Sequence, residues 1–405
     1  MPCIDQCKKA AGEPMKKETG NYIFRILKAF IYGEEPVLTG SSDWEEILYY
    51  ARIHAISGII GYVAAEFDLC GDPVTAAQLE KDMINTFGYQ YRRNVQMKKL
   101  IRILNEKEID HILMKGYLIK GLYPVPELRW FGDIDFVIHK DDRIKTDELM
   151  KELGYEVSDN WEPVYSYHKD SEYYEIHTEI LDADINNSTQ KEYFGNIWNH
   201  VYNTGLHTYH FDREYHFIYL IAHLAKHVYR KGAGVRMYLD IALIINKYGD
   251  SLNWGYILNE LDQLGLRRFF FTVCTVCELW FEIQAPCEVE RIDPAAISEF
   301  TEITLEGGTF GANNANDAIE TLKDADESDS RIRTVIHQIF PPAKEIQSRY
   351  TYLQKHRWLL PVAWIDRVFR NRDVLNRRIH LAREIVVADE EEVRHLRSLI
   401  HEIGL

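Results

Sequence analysis

Cysteine is scarce in this chain: six in 405 residues, at positions 3, 7, 70, 274, 277 and 287. Small secreted domains held by disulfides are far denser in cysteine, so the expected compartment is the reducing cytoplasm. Cys274 and Cys277 form a C-x-x-C inside the aromatic run FFFTVCTVCELWF, where both would face the same side of an apolar helix. They read as core in preference to a redox or metal pair. Long apolar runs are missing too. Ile56 to Phe67 is broken by glycine and Glu66, short of the ~20 residues a spanning helix needs, so no transmembrane segment is expected. The opening MPCIDQCKKAAGEPMKKETG holds no apolar core of signal-peptide length, which predicts no export. Positive charge is in deficit, with 47 Lys and Arg against 63 Asp and Glu and a net charge of −16. A protein that grips long nucleic acid through phosphates carries a basic surface, so that partner class is disfavoured.

What is present is an ordinary globular composition, 46% hydrophobic and 27% charged, on a chain long enough for two or three domains. Tyr22 to Tyr32, Trp44 to Phe67 and Val74 to Glu106 read as helices, with Asp43 and Glu46 forming a capping-box-like pair at the start of the second. From Ile109 the periodicity changes. HILM (His111 to Met114) is a short apolar run ending at Lys115-Gly116, which suits a strand feeding a turn. DIDFVIH (Asp133 to His139) alternates strictly, with Ile134, Phe136 and Ile138 on one face and Asp133, Asp135 and Val137 on the other. Asp142 to Leu153 predicts a helix stopped by Gly154. Tyr165 to Ile180 predicts a hairpin turning at His168-Lys169-Asp170-Ser171, with EYYEIHTEI as its return strand. Tyr215 to Tyr229, Arg236 to Tyr248 and Ile257 to Trp280 are helical again. The expected fold is α+β, a small mixed sheet flanked by N-terminal and C-terminal helical domains. Its boundaries fall at 1–90 (helical), 91–205 (α/β core), 206–300 (helical), 301–335 (an acidic loop) and 336–405 (a basic helical segment).

Two carboxylates two residues apart on a strand share a face, roughly 6.5 Å between Cα atoms. Such a pair repels itself and is best tolerated with a divalent cation between the oxygens, which suits Mg²⁺ or Mn²⁺. A lone D-x-D arises by chance in a chain this acidic, but here the opposite face is wholly apolar. Gly132 allows close backbone approach, and a second acidic face follows on Glu175, His177 and Glu179. Gly116 follows a predicted strand and is expected to open a helix whose N–H groups attract phosphate, with Lys115 adding charge. Arg129, four residues before Asp133, is placed either to meet phosphate or to pair with an aspartate.

The run LMKGYLIKGLYPVPELRWFGDIDFVIHKDD, then YYEIHTEI, then HLAKHVYRKGAGVRMYLDI, resembles the uncharacterised nucleotidyltransferase family within the DNA polymerase β-like superfamily. FPP and YTYLQKHRWLLPVAWIDR are similar to its C-terminal portion. The resemblance implies that residues 91–205 are the nucleotidyltransferase core and that 206–300 packs over the active site. It puts the family's aspartate pair on Asp133 and Asp135, its third acid on Glu175, and its following histidine on His177. It also matches Lys226, Arg236 and Asp240 to family positions. The superfamily's Gly-Ser after the first strand is replaced by Lys115-Gly116, leaving the phosphate contact to Lys115 and backbone amides. Implied is a Mg²⁺-dependent enzyme in which Asp133, Asp135 and Glu175 hold metal and a nucleoside triphosphate such as ATP gives its nucleoside monophosphate to a hydroxyl. Pyrophosphate leaves, and Glu175 or His177 takes the proton. Lys115, Gly116, Arg129, Lys226 and Arg236 are the expected nucleotide-binding residues.

Two competing readings stay open, a catalytically silent nucleotide-binding or scaffolding module and a metal-dependent phosphohydrolase. His223-x-x-x-His227 places two imidazoles on one helix face without a third zinc ligand or the glutamate of HExxH, and reads as cleft lining. From Lys344 to Arg383 there are ten Lys or Arg and three Asp or Glu. That stretch is either a solvated helix face or a docking surface for an anionic partner such as RNA or a headgroup. The acceptor, whether protein, RNA end or small molecule, is not marked by any motif.

Overall fold

The computed structural model describes residues 15, 17–38, 43–161, 163–180, 188–230, 232–308, 340–347, 350–370 and 389–405. The expected acidic loop beyond residue 308 and residues 371–383 of the basic stretch lie outside the described residues. The chain divides into two units, Met1–Asn313 with Ile403–Leu405, and Asn314–Glu402.

The first unit opens with helices α1 (Lys17–Tyr32), α2 (Trp44–Ile53), α3 (Ser57–Glu66) and α4 (Pro73–Glu106). Asp43 caps α2 by accepting from the Glu46 N–H at 3.0 Å. The Glu46 side chain itself accepts from the Thr19 hydroxyl. Trp44 to Phe67 is therefore two helices, broken at His54-Ala55-Ile56, where Ala55 takes φ +56°. The break seats the buried His54 between two distant backbone groups: the Val235 N–H donates to its Nδ1 at 3.2 Å, and its Nε2–H donates to the Leu305 carbonyl at 2.9 Å. Asp72 caps α4 through the Thr75 N–H at 2.8 Å, with Pro73 at the first helical position.

After α4 come β1 (His111–Leu113), α5 (Gly116–Ile119), β2 (Ile134–Ile138), α6 (Arg143–Glu152), β3 (Glu156–Trp161), β4 (Val164–Lys169) and β5 (Glu172–His177). Then follow α7 (Ser188–Tyr193), β6 (Val201–Gly205) and β7 (Thr208–Phe211). The strands form one mixed seven-stranded sheet in the order β3-β4-β5-β2-β1-β7-β6. β2 runs parallel to β5, and β1 parallel to β7. The expected α+β class is what the molecule has. Beyond the four strands read from the sequence, the sheet holds β7 (TYHF) and the edge strands β3 (EVSDNW) and β6 (VYNTG), which lack apolar alternation.

Alternation within β2 sorts its residues as expected. Ile134, Phe136 and Ile138 enter a core with Tyr174 and Ile176 of β5, Met97, Leu100 and Leu104 of α4, and Leu149 and Met150 of α6. Burial of each such side chain is worth about 1.5–3 kcal/mol, so this face fixes the strand's register and turns its polar face the other way. From α4, Gln90 Nε2 donates to the Phe131 carbonyl and Arg93 Nη2 to the Tyr173 carbonyl, both at 2.9 Å. Those bonds anchor the segments leading into the carboxylates.

Beyond β7 the unit is helical: α8 (Arg213–Arg230), α9 (Val235–Tyr248), α10 (Trp254–Gln263), α11 (Arg267–Phe281) and α12 (Pro294–Gly307). The stretch read as one helix from Ile257 to Trp280 is α10 and α11, parted at Gly265, whose φ of +71° suits glycine. Cys274 and Cys277 are buried on α11, the latter's thiol 3.8 Å from the Tyr238 carbonyl, as core residues.

The second unit contains helices Leu360–Arg370 and Glu390–Glu402 and a small core of Ile346, Tyr350, Leu353 and Ala363. Among the described residues no helix is long and apolar enough to cross a membrane.

Candidate active site

The parallel pairing of β2 with β5 sets Asp135 beside Glu175 and Val137 beside His177. These polar side chains share the sheet face opposite the α4–α6 core, as alternation requires. Donor atoms of Asp135, Glu175 and His177 all lie within 4.8 Å of one another. Asp133, two residues before Asp135 and just ahead of β2, is outside that trio but close enough for its charge to act on Glu175.

Lys115 adopts φ +50° and ψ −132°, a backbone conformation that a lysine rarely takes and that costs on the order of 1–3 kcal/mol. From there its Nζ reaches 2.7 Å from Asp135 Oδ1. His177 Nε2 is 3.0 Å from the same oxygen. Burial alone would weaken the Lys115 charge, but Asp135, Tyr219 and Asp133 outweigh it and hold the ammonium protonated. Burial likewise opposes ionisation of Asp135, and Lys115 and His177 reverse the balance and keep it a carboxylate. Burial lowers the His177 pKa, with the bond to Asp135 acting the other way; since the Asp135 carboxylate can only accept, the His177 Nε2–H is the donor.

The other two acids behave differently. Asp135 foremost, then burial, raises Asp133 above the usual range, offset in part by Lys115 and Arg236. Burial, then Asp135 and Asp133, pushes Glu175 up to about 7. Three carboxylates at this spacing destabilise one another's charge, which a divalent cation would relieve. Two carboxylates with a third beside them are hard oxygen donors suited to Mg²⁺ or Mn²⁺, so the residues present fit such an ion.

Beside these groups, α8 carries Tyr219, His223, Lys226 and His227 on one stripe. The Tyr219 hydroxyl lies beside the Lys115 ammonium. Burial, then Arg230 and Lys115, brings Lys226 down to about 8, with Glu175 acting the other way. Burial and the charges of Lys226, Lys115, Arg236 and Arg230 bring His227 down to about 4. An acidic wall from the sheet thus lies within electrostatic range of cations from α8 and the start of α9. The His223 and His227 rings meet edge to face at 4.6 Å. Among the described residues no third metal-ligating side chain joins them.

Arg129 does pair with an aspartate, and that aspartate is Asp240 of α9. Its Nε and Nη2 donate to the two Asp240 oxygens at 2.9 and 2.6 Å. The Tyr123 hydroxyl adds a third bond at 2.7 Å, and Arg236 Nη1 stands 3.6 Å away. The remaining Arg129 nitrogen, Nη1, is buried without a partner and points at Gly116. A Cβ on Gly116 would lie 2.2 Å from it. Gly116 is therefore the glycine that admits the guanidinium, and the helix it opens is a single turn with little dipole of its own. At Gly132, by contrast, an added Cβ would meet nothing within 4 Å.

Of the residues expected to act, Lys115, Asp135 and Glu175 converge with His177, while Lys226 and Arg236 stand across from them. Tyr219 and Tyr123 carried no sequence motif. Only Tyr219 had a usable signal, four and seven residues before His223 and Lys226 on one helix face.

A sequence-family profile described as uncharacterised nucleotidyltransferase matches residues 40–282, more than half the chain and every residue of this site. No curated protein matches. Among solved structures the chain is similar to a solution structure of the antibiotic-resistance factor ANT(2'')-Ia. The identity is 12% and the TM-score 0.32, over 47% of this chain and 97% of that one. A similarity of that size carries no functional argument.

Proposed function

Because this chain belongs to the uncharacterised nucleotidyltransferase family, we propose that it is a polymerase β-like enzyme that transfers a nucleoside monophosphate from a nucleoside triphosphate to a hydroxyl acceptor. The observation that carries this reading is the cluster of Asp135, Glu175 and His177 with donor atoms within 4.8 Å, with Lys115 bonded to Asp135 and with Lys226 and Arg236 near enough for their charges to act on Glu175 and Asp133. Burial, and after it the neighbouring cations, depresses Lys226 and His227, and a polyphosphate beside them would offset the repulsive part. Mg²⁺ or Mn²⁺, held by Asp133, Asp135 and Glu175, would neutralise charge on the phosphates and on the leaving group.

In the reaction, the acceptor oxygen forms a bond to the α-phosphorus. The bond from that phosphorus to the bridging β-oxygen breaks, and its electron pair leaves with pyrophosphate. Glu175, on the acidic wall and partly open to solvent, takes the acceptor's proton. His177 holds Asp135 in position through its 3.0 Å bond. Lys226 and Arg236 orient the triphosphate. Arg129 serves at one remove, by fixing Asp240 and the turn at Gly116.

The test is incubation of purified protein and cell lysate with each α-labelled triphosphate and Mg²⁺. Label is expected on an acceptor together with released pyrophosphate, both lost in Asp135→Asn. Free nucleoside monophosphate without a labelled acceptor would replace this reading with a phosphohydrolase. Tight nucleotide binding without pyrophosphate release across varied acceptors would replace it with a silent binding module.

A further inference from the structure

We propose that the Lys115 ammonium permanently occupies one of the two cation positions at Asp135, so that this site takes a single divalent cation. The inference rests on the proposed metal-dependent transfer and concerns how that site is filled. In a two-metal site a shared carboxylate bridges ions ~3.5–4 Å apart, one on each oxygen. Here Asp135 Oδ1 already holds two partners, Lys115 Nζ at 2.7 Å and His177 Nε2 at 3.0 Å. That leaves Oδ2 as the oxygen offered to an incoming ion. The lysine is not a surface residue folded in by chance. Its side chain is 16% exposed and that of Asp135 6%, and the φ of +50° is the conformation that directs it from the end of β1 onto the carboxylate.

The ammonium on Oδ1 would repel a divalent ion brought to that same oxygen, and the low exposure of both side chains leaves that repulsion weakly screened. The divalent ion would arrive with the triphosphate, and the ammonium would stand where a second ion otherwise polarises the phosphates.

Mn²⁺ electron paramagnetic resonance on the full chain tests this, with inorganic tripolyphosphate supplying the phosphate chain without committing to a base. The wild-type protein is expected to retain one magnetically isolated Mn²⁺. Lys115→Met, nearly isosteric and uncharged, is expected to retain two, exchange-coupled, and Lys115→Arg one. A coupled pair in the wild type, or one ion in both wild type and a folded Lys115→Met, would overturn the proposal. If Lys115→Met does not fold, the wild-type spectrum decides between one ion and a pair. Retention of no Mn²⁺ by the wild type is a separate result, since it removes the metal-dependent reading itself. Asp135→Asn, expected to drop retention at least tenfold, confirms that the counted ion is at this site.

Discussion

Replacing Gly116 by alanine inserts one carbon into a place already held by a guanidinium. The new Cβ would sit 2.2 Å from Arg129 Nη1 and 3.0 Å from Cζ, whereas non-bonded atoms rest about 3.5 Å apart, so a shift of roughly 1.3 Å is needed. The tip of an arginine usually swings away at little cost, but this one is tied by bonds of 2.9 and 2.6 Å to Asp240. A shift of that size directed away from Asp240 would take the shorter bond to about 3.9 Å, beyond hydrogen-bonding distance. Both partners are buried, with side chains 4% and 7% exposed, so water cannot replace what is lost. Breaking a buried ion pair costs about 3–5 kcal/mol, a large part of the ~5–15 kcal/mol that holds a domain together. Urea unfolding followed by tryptophan fluorescence is expected to show Gly116→Ala destabilised by about 3 kcal/mol or more at an unchanged m-value. Arg129→Lys removes Nη1 and should relieve part of the clash, so the double variant should show a coupling of at least ~1 kcal/mol. A Gly116→Ala protein within ~0.5 kcal/mol of wild type, with strictly additive effects in the double variant, would refute the placement of Arg129 against Gly116.

Three further outcomes follow from other parts of the fold. Gly61→Ala on α3 would press a Cβ to 2.4 Å from the Leu79 carbonyl of α4; because backbone cannot yield as a side chain can, a net loss of about 2 kcal/mol in chemical denaturation is expected despite alanine's better helix propensity. His54 is lowered from 6.5 to about 4 by burial, with the bond to Leu305 acting the other way. The folded state therefore resists its protonation: the stability it supports is complete above pH about 6.5 and falls as pH drops toward 4, by about 1.4 kcal/mol per unit. The gap in unfolding free energy between wild type and His54→Gln should accordingly narrow between pH 7 and pH 5, and a gap that stays constant would count against that assignment. Asp135→Asn should keep the fold but lower nucleotide transfer at least a hundredfold, read as pyrophosphate release, and chelation of divalent ions by EDTA should do the same to wild type.

How much of this was legible beforehand depended on the range of the interaction. The β2 alternation is written in DIDFVIH, because period two and an apolar face are local properties, and the Asp43 and Gly154 helix boundaries are equally local. The β4–β5 hairpin was readable for the same reason. The edges of the sheet were not. β3 and β6 show no apolar alternation in sequence, and what makes them strands is their pairing with β4 and β7. The helix break at Ala55 was invisible because it serves His54, whose partners Val235 and Leu305 lie 181 and 251 residues away.

At the site the division is sharper. Sequence alone marked the candidates, namely the paired acids Asp133 and Asp135, the acid on the returning strand, and the Lys-Gly turn, since residue type and strand period are local properties. Only the tertiary structure decided that Asp135 stands beside Glu175, that Lys115 ends on Asp135, and that Arg129 belongs to Asp240, 111 residues away. Strand pairing and burial select partners through packing of the whole sheet and the helices across from it. No local pattern encodes the distance between two side chains that meet only when the chain has closed.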